Sequence, residues 1–268
     1  MTNASGGTGD IQAVQRVGQL LALFTIDRPR LSVAEAAAIV GMNRSTVSRY
    51  FGSLVLVGFL ERTVEDPTVY VPGPLLVQLG AVAQGQRRVL DLAPPHMRRL
   101  SRETGLTVVL SLWGAAGPVV SLVTEIGTSP ILVTVRVGAL LDLDSAQGKL
   151  FLRFAKDQEP TARYLAGLDP VQRRRMETEV AGVGAAGLAR APAPMHMSIL
   201  AGPVFDDHDI AATIAVVGMP ADEPKTVAAL HRAAYRITTD MGGAGHWRAL
   251  MPVGTADAAR DSEESEAS

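Results

Sequence analysis

Asn43, Arg44, Ser45, Thr46, Ser48 and Arg49 fall within seven consecutive residues, a concentration of hydrogen-bond donors and fixed positive charge suited to nucleic acid. An arginine presents a planar fork of donors that fits guanine or phosphate, and Asn, Ser and Thr can read a base edge or hold the backbone. From Ala36 to Leu60 there is no Asp or Glu, so nothing in that stretch would repel a phosphate. Arg62, just beyond it, is a further candidate for a phosphate or minor-groove contact.

Such side chains need a rigid carrier, and the flanking sequence predicts one. Ile11, Val14, Val17, Leu20, Leu21 and Phe24 recur at helical spacing behind Asp10 as a cap, which predicts a first helix ending near Asp27, before Pro29. Ser32 and Glu35 form a capping-box pattern that opens a second, alanine-rich helix to about Val40. Gly41 can take the left-handed C-cap conformation, and Asn43 can cap a third helix running to about Val57. On that helix Val47, Phe51, Leu54 and Val55 form the apolar stripe, with Arg44, Ser45, Ser48 and Arg49 off it. At 1.5 Å per residue it would be about 22 Å long, enough to lie in a major groove about 12 Å wide. Phe59–Arg62 and Thr68–Val71 read as a β-hairpin around Glu65-Asp66-Pro67. Three helices and a hairpin predict a winged helix-turn-helix over residues 10–72, the leading end of its third helix meeting DNA.

The remaining chain reads as a second domain. Residues 1–9 are predicted to be a disordered arm, and residues 73–92 a linker or dimer helix from Leu75 to about Leu90. A domain over 93–241 starts with a helix opened by Pro94-Pro95 and closed by Gly105. Strands are then expected at Thr107–Trp113, Val119–Glu125 and Ile131–Arg136, and helices at Ser145–Phe154, Glu159–Ala166 and Pro170–Val180. Two more strands, Met197–Phe205 and Ile210–Val217, precede a last helix over Glu223–Met241. Strands among helices predict an α+β architecture, an antiparallel sheet covered by helices. Residues 242–268 are predicted to be a disordered acidic tail.

Composition narrows the function classes. The 268 residues include no cysteine, which excludes a disulfide framework, a thiol nucleophile, an iron–sulfur cluster and Cys-ligated zinc. The net charge of −2 is uneven: residues 255–268 carry −4, which leaves +2 for the rest. The N-terminus lacks the pattern of a secretory signal and the most apolar stretch is interrupted by Gly114, Gly117 and Pro118, so a cytoplasmic protein without a membrane span is expected. Arginine-rich composition, with only three lysines, fits a high G+C coding bias.

Several motifs carry no chemistry on inspection. Gly182 to Gly187 matches GxGxxG, but a charged helix precedes it and prolines follow, where a dinucleotide site needs a strand and then a helix. The five histidines are dispersed, so no metal is expected. Arg173–Arg175 reads as a solvated helix face, and Asp142 and Asp144 have no nucleophile or base beside them. No catalytic residue and no cofactor are therefore expected. The alternative reading is an enzyme or sensor acting on a small molecule, its N-terminal domain binding a protein; the missing nucleophile–base pair argues against it.

Leu31-Ser32-Val33-Ala34-Glu35, Gly41 through Arg49, Leu54 and Gly58-Phe59-Leu60 resemble the winged helix of IclR-type bacterial transcription regulators. Gly138 through Ser145-Ala146-Gln147-Gly148-Lys149 and Ser198 through Asp206 are similar to that family's helix-start and "apolar-Ala-Pro-Val-Phe-Asp" strand motifs. The likeness covers about residues 10–241. It implies a DNA-binding domain, a linker helix and a GAF-like effector domain, a homodimer or homotetramer, an operator of double-stranded DNA and a small-molecule effector. By that resemblance Arg44, Ser45, Thr46 and Arg49 contact DNA, and Ser145, Ala146, Ile199, Ala215 and Val217 stand at the effector site. Ile199 replaces a frequent Cys or small residue, Ala215 and Val217 replace frequent serines, and Ala191-Pro192-Ala193-Pro194 fills a usually acidic stretch. A small keto acid would find few donors there, so the expected effector is more apolar or bulkier, or there is none.

Overall fold

The computed structural model describes residues 11–125, 135–192 and 197–251. The chain divides into two compact units, Met1–Gln86 and Arg87–Ser268.

In the first unit α1 (Gln12–Leu21) ends short of the expected Asp27. Thr25 and Arg28 exchange backbone hydrogen bonds at 3.1 Å, and Arg28 Nε donates to Leu23 O at 2.8 Å, so the segment satisfies its polar groups without continuing the helix. Asp10, the expected cap, lies outside the described residues; Ile11 holds the cap position with no side-chain bond. A two-residue strand that the sequence did not predict, β1 (Leu31–Ser32), leads into α2 (Val33–Val40) and then α3 (Arg44–Leu56). The wing strands β2 (Leu60–Arg62) and β3 (Val69–Pro72) complete an antiparallel sheet in the order β1-β3-β2. The core is small and aromatic at its centre: Phe51 is fully buried, meets the Tyr70 ring edge-on at 4.8 Å, and packs among Leu20, Leu31, Leu54 and Leu60. The unit ends with α4 (Pro74–Gly85).

The single linker helix expected over Leu75–Leu90 is corrected. The chain leaves helical geometry at Arg87 (φ −100°, ψ 82°), and α5 runs over Arg88–Thr104 with Pro94 and Pro95 inside it rather than at its start. Packing explains this. Val89, Ala93, Met97 and Leu100 form one continuous buried stripe, and burial of that stripe outweighs the backbone hydrogen bonds two prolines delete.

The second unit is built on a five-stranded antiparallel sheet in the order β5-β4-β8-β7-β6. Its strands are β4 (Thr107–Trp113), β5 (Pro118–Thr124), β6 (Ala189–Pro192), β7 (Ser198–Phe205) and β8 (Ile210–Gly218). The strand expected at Ile131–Arg136 lies mostly outside the described residues; Val135 and Arg136 are not in a strand. The helices are α6 (Ala146–Phe154), α7 (Glu159–Ala166), α8 (Pro170–Ala186), α9 (Glu223–Asp240) and α10 (Ala244–Leu250). Register separates the sheet's two faces. Leu110, Ile214 and Gly202 align across β4, β8 and β7, and Gly202 lies against Leu230 and Ala234 of α9. Ser111, Thr213 and Pro203 align on the opposite face, where Thr213 Oγ1 meets Gln147 Oε1 of α6 at 3.3 Å.

α8 extends past Val180 to Ala186, so Gly182 and Gly184 of the GxGxxG sequence are helical and Gly187 is the left-handed cap. The run Arg173–Arg175 does more than face solvent: Arg173 Nε donates to Leu165 O at 2.8 Å and Arg175 pairs with Glu179 at 2.7 Å. The expectation of disorder from residue 242 is also corrected, because α10 carries Trp247 fully buried against Phe205 and Tyr235. One large apolar ring is enough to order a short helix that neither periodicity nor capping announces.

His231 of α9 is buried, with Nε2 3.1 Å from Gly187 O, and burial holds its imidazole below the ordinary 6.5. The unfolded chain takes up a proton there near pH 6.5 while the folded chain resists it, so this contribution is full above that pH and is lost on acidification. Denaturation at about pH 7.5 and about pH 5.5 is expected to show falling stability for the parent chain. His231→Gln, which keeps a donor toward Gly187, should show a smaller fall. Equal slopes would refute the assignment.

Candidate functional site

The helix-turn-helix is set by three local bonds. Ser32 Oγ accepts from Glu35 N while Glu35 Oε2 accepts from Ser32 N at 2.8 Å, a complete capping box. Those bonds, the one from the Ser32 backbone foremost, hold the Glu35 carboxyl below its usual range, so it stays ionised and engaged. Gly41 (φ 68°) then turns the chain through the left-handed region, and Asn43 Oδ1 accepts from Ser45 N at 2.9 Å to start α3.

This places Asn43, Arg44, Ser45, Ser48 and Arg49 on the exposed side of α3 and leaves Thr46 half-buried, with Val47, Phe51 and Leu54 turned into the core. Asn43 and Ser45 are partly committed, since Ser45 Oγ also donates to Asn43 Oδ1 at 2.8 Å. Arg44 and Arg49 form no ion pair or side-chain hydrogen bond among the described residues. Arg62 is placed differently. Its Nη1 donates to Pro67 O at 2.6 Å and its guanidinium sits 5.0 Å from the centre of the Tyr70 ring, so it braces the wing it was expected to present.

Sequence reasoning missed Arg16. It stands on α1 and shares with Thr46, Arg49, Tyr50 and Ser53 of α3 an open groove of about 470 Å³. Ser53 Oγ donates to the main-chain O of Arg49, and the Arg49 side chain lines the groove. The signal available was Arg16 on the first helix at the edge of its apolar stripe; nothing in the sequence alone aimed it at α3.

In the second unit, Ile199, Ala215 and Val217 share one sheet face: Ile199 pairs with Val217, and Ala215 with Ala201. α6 lies on the same face, with Ser145 Oγ capping it through Gly148 N at 3.0 Å and Ala146 fully buried. Gly148 is obligatory, since a Cβ there would sit 2.4 Å from Leu143 O. Val109, Val120, Ala139 and Leu141 cluster around Val217, so this face is apolar. Ala191 and Pro192 belong to β6, with Ala191 opposite Ile199; Ala193 and Pro194 lie outside the described residues. Two hydroxyls escaped the sequence reading, Ser111 and Thr213, paired across β4 and β8 on this face. Ser111 Oγ is fully buried without a hydrogen-bond partner among the described residues. Lys149, nearly buried, reaches Glu179 Oε2 of α8 at 2.7 Å.

Among the described residues no three His, Asp or Glu side chains are placed to hold a metal ion, and no helix is long and apolar enough to cross a membrane.

Residues 13–63 match the IclR helix-turn-helix domain family. The transcriptional regulator TtgV of Pseudomonas putida is 32% identical over 106 residues, 40% of this chain and 40% of that protein. The chain thus aligns with about two-fifths of the length of the curated relatives it matches, and these are regulators of transcription. The fold extends further. A Silicibacter protein described as an IclR transcriptional regulator superposes with a TM-score of 0.76 at 23% identity, over 90% of this chain and 98% of its own. An IclR homologue from Microbacterium hydrocarbonoxydans, solved with 4-hydroxybenzoate, gives 0.65 at 24% identity over 85% and 98%. The α+β architecture of a winged helix followed by a helix-covered antiparallel sheet is that of these solved IclR proteins.

The capping box is expected to matter for the stability of the helix-turn-helix. Ser32→Ala removes the acceptor for Glu35 N and should cost about 1 kcal/mol in urea denaturation of the first unit's transition. A change within error would show that β1 pairing, rather than the cap, fixes the start of α2.

Proposed function

We propose that this chain is a ligand-responsive DNA-binding transcription regulator of the cytoplasm. In that reading a homodimer or homotetramer sets paired α3 helices into major grooves at two half-sites of an operator, and a small molecule held on the sheet of the second unit modulates the binding. The observation that carries it is the exposed row Asn43, Arg44, Ser45, Ser48 and Arg49, whose two arginines have no partner among the described residues while the acids nearest in sequence lie outside 36–60. Arg16 beside Arg49 adds a second positive charge along one groove, suited to a phosphate track. Self-association is supported by α4, which exposes Val77, Leu79 and Val82 in succession and buries no residue within its own unit.

For the effector, Ile199, Ala215, Val217 and Ala146 favour an apolar body, and the unpartnered Ser111 hydroxyl offers one polar anchor. An aromatic or aliphatic molecule bearing one polar group fits this chemistry better than a small keto acid does. The 4-hydroxybenzoate in the Microbacterium protein shares the aromatic body but carries two polar groups, a hydroxyl and a carboxylate.

Fragments of genomic DNA captured by the purified protein and sequenced would supply the operator. On that DNA, at fixed salt, Arg49→Ala is expected to weaken binding several-fold with folding intact. Arg16→Ala should lower affinity evenly across sequences and reduce the slope of log affinity against log salt by about one. Capture of no sequence, or affinity indifferent to salt and to both substitutions, would overturn the reading. In a thermal-shift series, aromatic and aliphatic compounds are expected to raise the melting temperature of the second unit and pyruvate or glyoxylate to leave it unchanged; the reverse pattern would refute the apolar effector.

A further inference from the structure

A cavity in the second unit opens beyond the Ser111 end of the candidate effector face. It opens where α6 ends, between Trp113 of β4, Phe151 of α6, Asp157, Thr161 of α7, Asp209 and Ile210 of β8, with a volume of about 190 Å³. Trp113 stands two residues beyond Ser111 on β4, roughly 7 Å along the same sheet face, and Ile210 and Val217 are seven residues, roughly 23 Å, apart on β8, so the cavity adjoins the Ser111 end of the candidate effector face and is remote from Val217. The cavity is smaller than the roughly 300 Å³ at which drug-sized sites begin, so its occupant is compact.

Its walls combine π surface with unneutralised negative charge. The Trp113 and Phe151 rings lie 5.3 Å apart at 53°, and Phe151 is buried. The Asp209 carboxylate is fixed by the backbone: Lys156 N lies 3.0 and 3.1 Å from its two oxygens, and Ile210 N donates to Oδ1 at 2.7 Å. Asp157 Oδ1 accepts from Glu159 N at 2.9 Å ahead of α7. These bonds hold both carboxylates in place without cancelling their charge. No Lys, Arg or His side chain lines the cavity, and neither Asp157 nor Asp209 forms an ion pair among the described residues. A bare metal ion would find two carboxylates but aromatic faces where further oxygen ligands are needed. An anion would meet two charges of its own sign.

We propose that this cavity is a binding site for a small organic ammonium ion, the charged nitrogen set against the Trp113 and Phe151 rings and balanced by Asp157 and Asp209. α6 links it to the candidate effector face, since Ala146 lies at one end of that helix and Phe151 near the other. The site stands independently of DNA binding, and its failure would leave the regulator reading untouched.

The chain has two tryptophans and Trp247 is fully buried, so the emission that responds to a ligand in this cavity is that of Trp113. Titration of the full chain with tetramethylammonium chloride is expected to give a saturable change in tryptophan emission and a raised melting temperature, with sodium chloride at the same ionic strength giving neither. Asp157→Asn keeps the acceptor for Glu159 N and removes only charge; it should weaken binding about fivefold or more, and Asp209→Asn should do the same. A sodium control equal to the ammonium, a neutral analogue such as 2,2-dimethylpropanol binding as well, or Asp157→Asn binding like the parent would each sink the proposal.

Discussion

β8 has to be buried on both faces, and much of the second unit follows from that requirement. It sits between β4 and β7, and residues 212–218 are buried without a break. Such a strand can have no polar side and must satisfy every backbone group through its neighbours, which is why IAATIAVVG reads as a continuous apolar run rather than an alternation. Its small members set the spacing. Ala212 and Gly202 let α9 come close on one face; Ala215 and Ala201 do the same for α6 on the other. Thr213 is the one polar residue the strand admits in its buried stretch, and it lies where Gln147 can meet it. The apolar character of the candidate effector face is therefore partly a structural necessity of the central strand.

The first unit solves a different problem, presenting charge from a core too small to spare many residues. Phe51 and Tyr70 close that core from α3 and the wing together, so the helix that exposes Arg44 and Arg49 is also the helix that anchors the domain. Arg62 illustrates the same economy. Stacked on Tyr70 and bonded to Pro67, it stiffens the hairpin and keeps further donors at the surface.

Where the signal was local, the sequence was legible. The Ser32–Glu35 box, the Gly41 turn and the Asn43 cap are each decided within four residues, and each formed as expected. The antiparallel sheet and its main strands were legible from β-branched runs. What escaped was decided by distant partners. Pro94 and Pro95 look like a helix start until the buried stripe from Val89 to Leu100 is known to need a continuous helix. β1 is two residues long and exists because β3 offers it a partner. Ala189–Pro192 carries two alanines and a proline, with no strand-like composition, and pairs because β7 lies beside it. α10 depends on a single tryptophan finding the Phe205 and Tyr235 rings. At the candidate sites the row on α3 was readable, whereas Arg16, Ser111 and the Trp113–Phe151 cavity exist only once separate segments meet.

Among the described residues β6 has a sheet neighbour on one side only, and its composition bears on how the protein behaves in a crowded solution. A long, flat, apolar edge invites the strand of another molecule to extend the sheet, the first step of aggregation. β6 is four residues long, ends in Pro192, which has no amide hydrogen to offer, and carries exposed Arg190 tied to Glu223. Brevity, a missing donor and a charge together make that border a poor template, so the proline that hides the strand from a reader of the sequence also hides its edge from other chains.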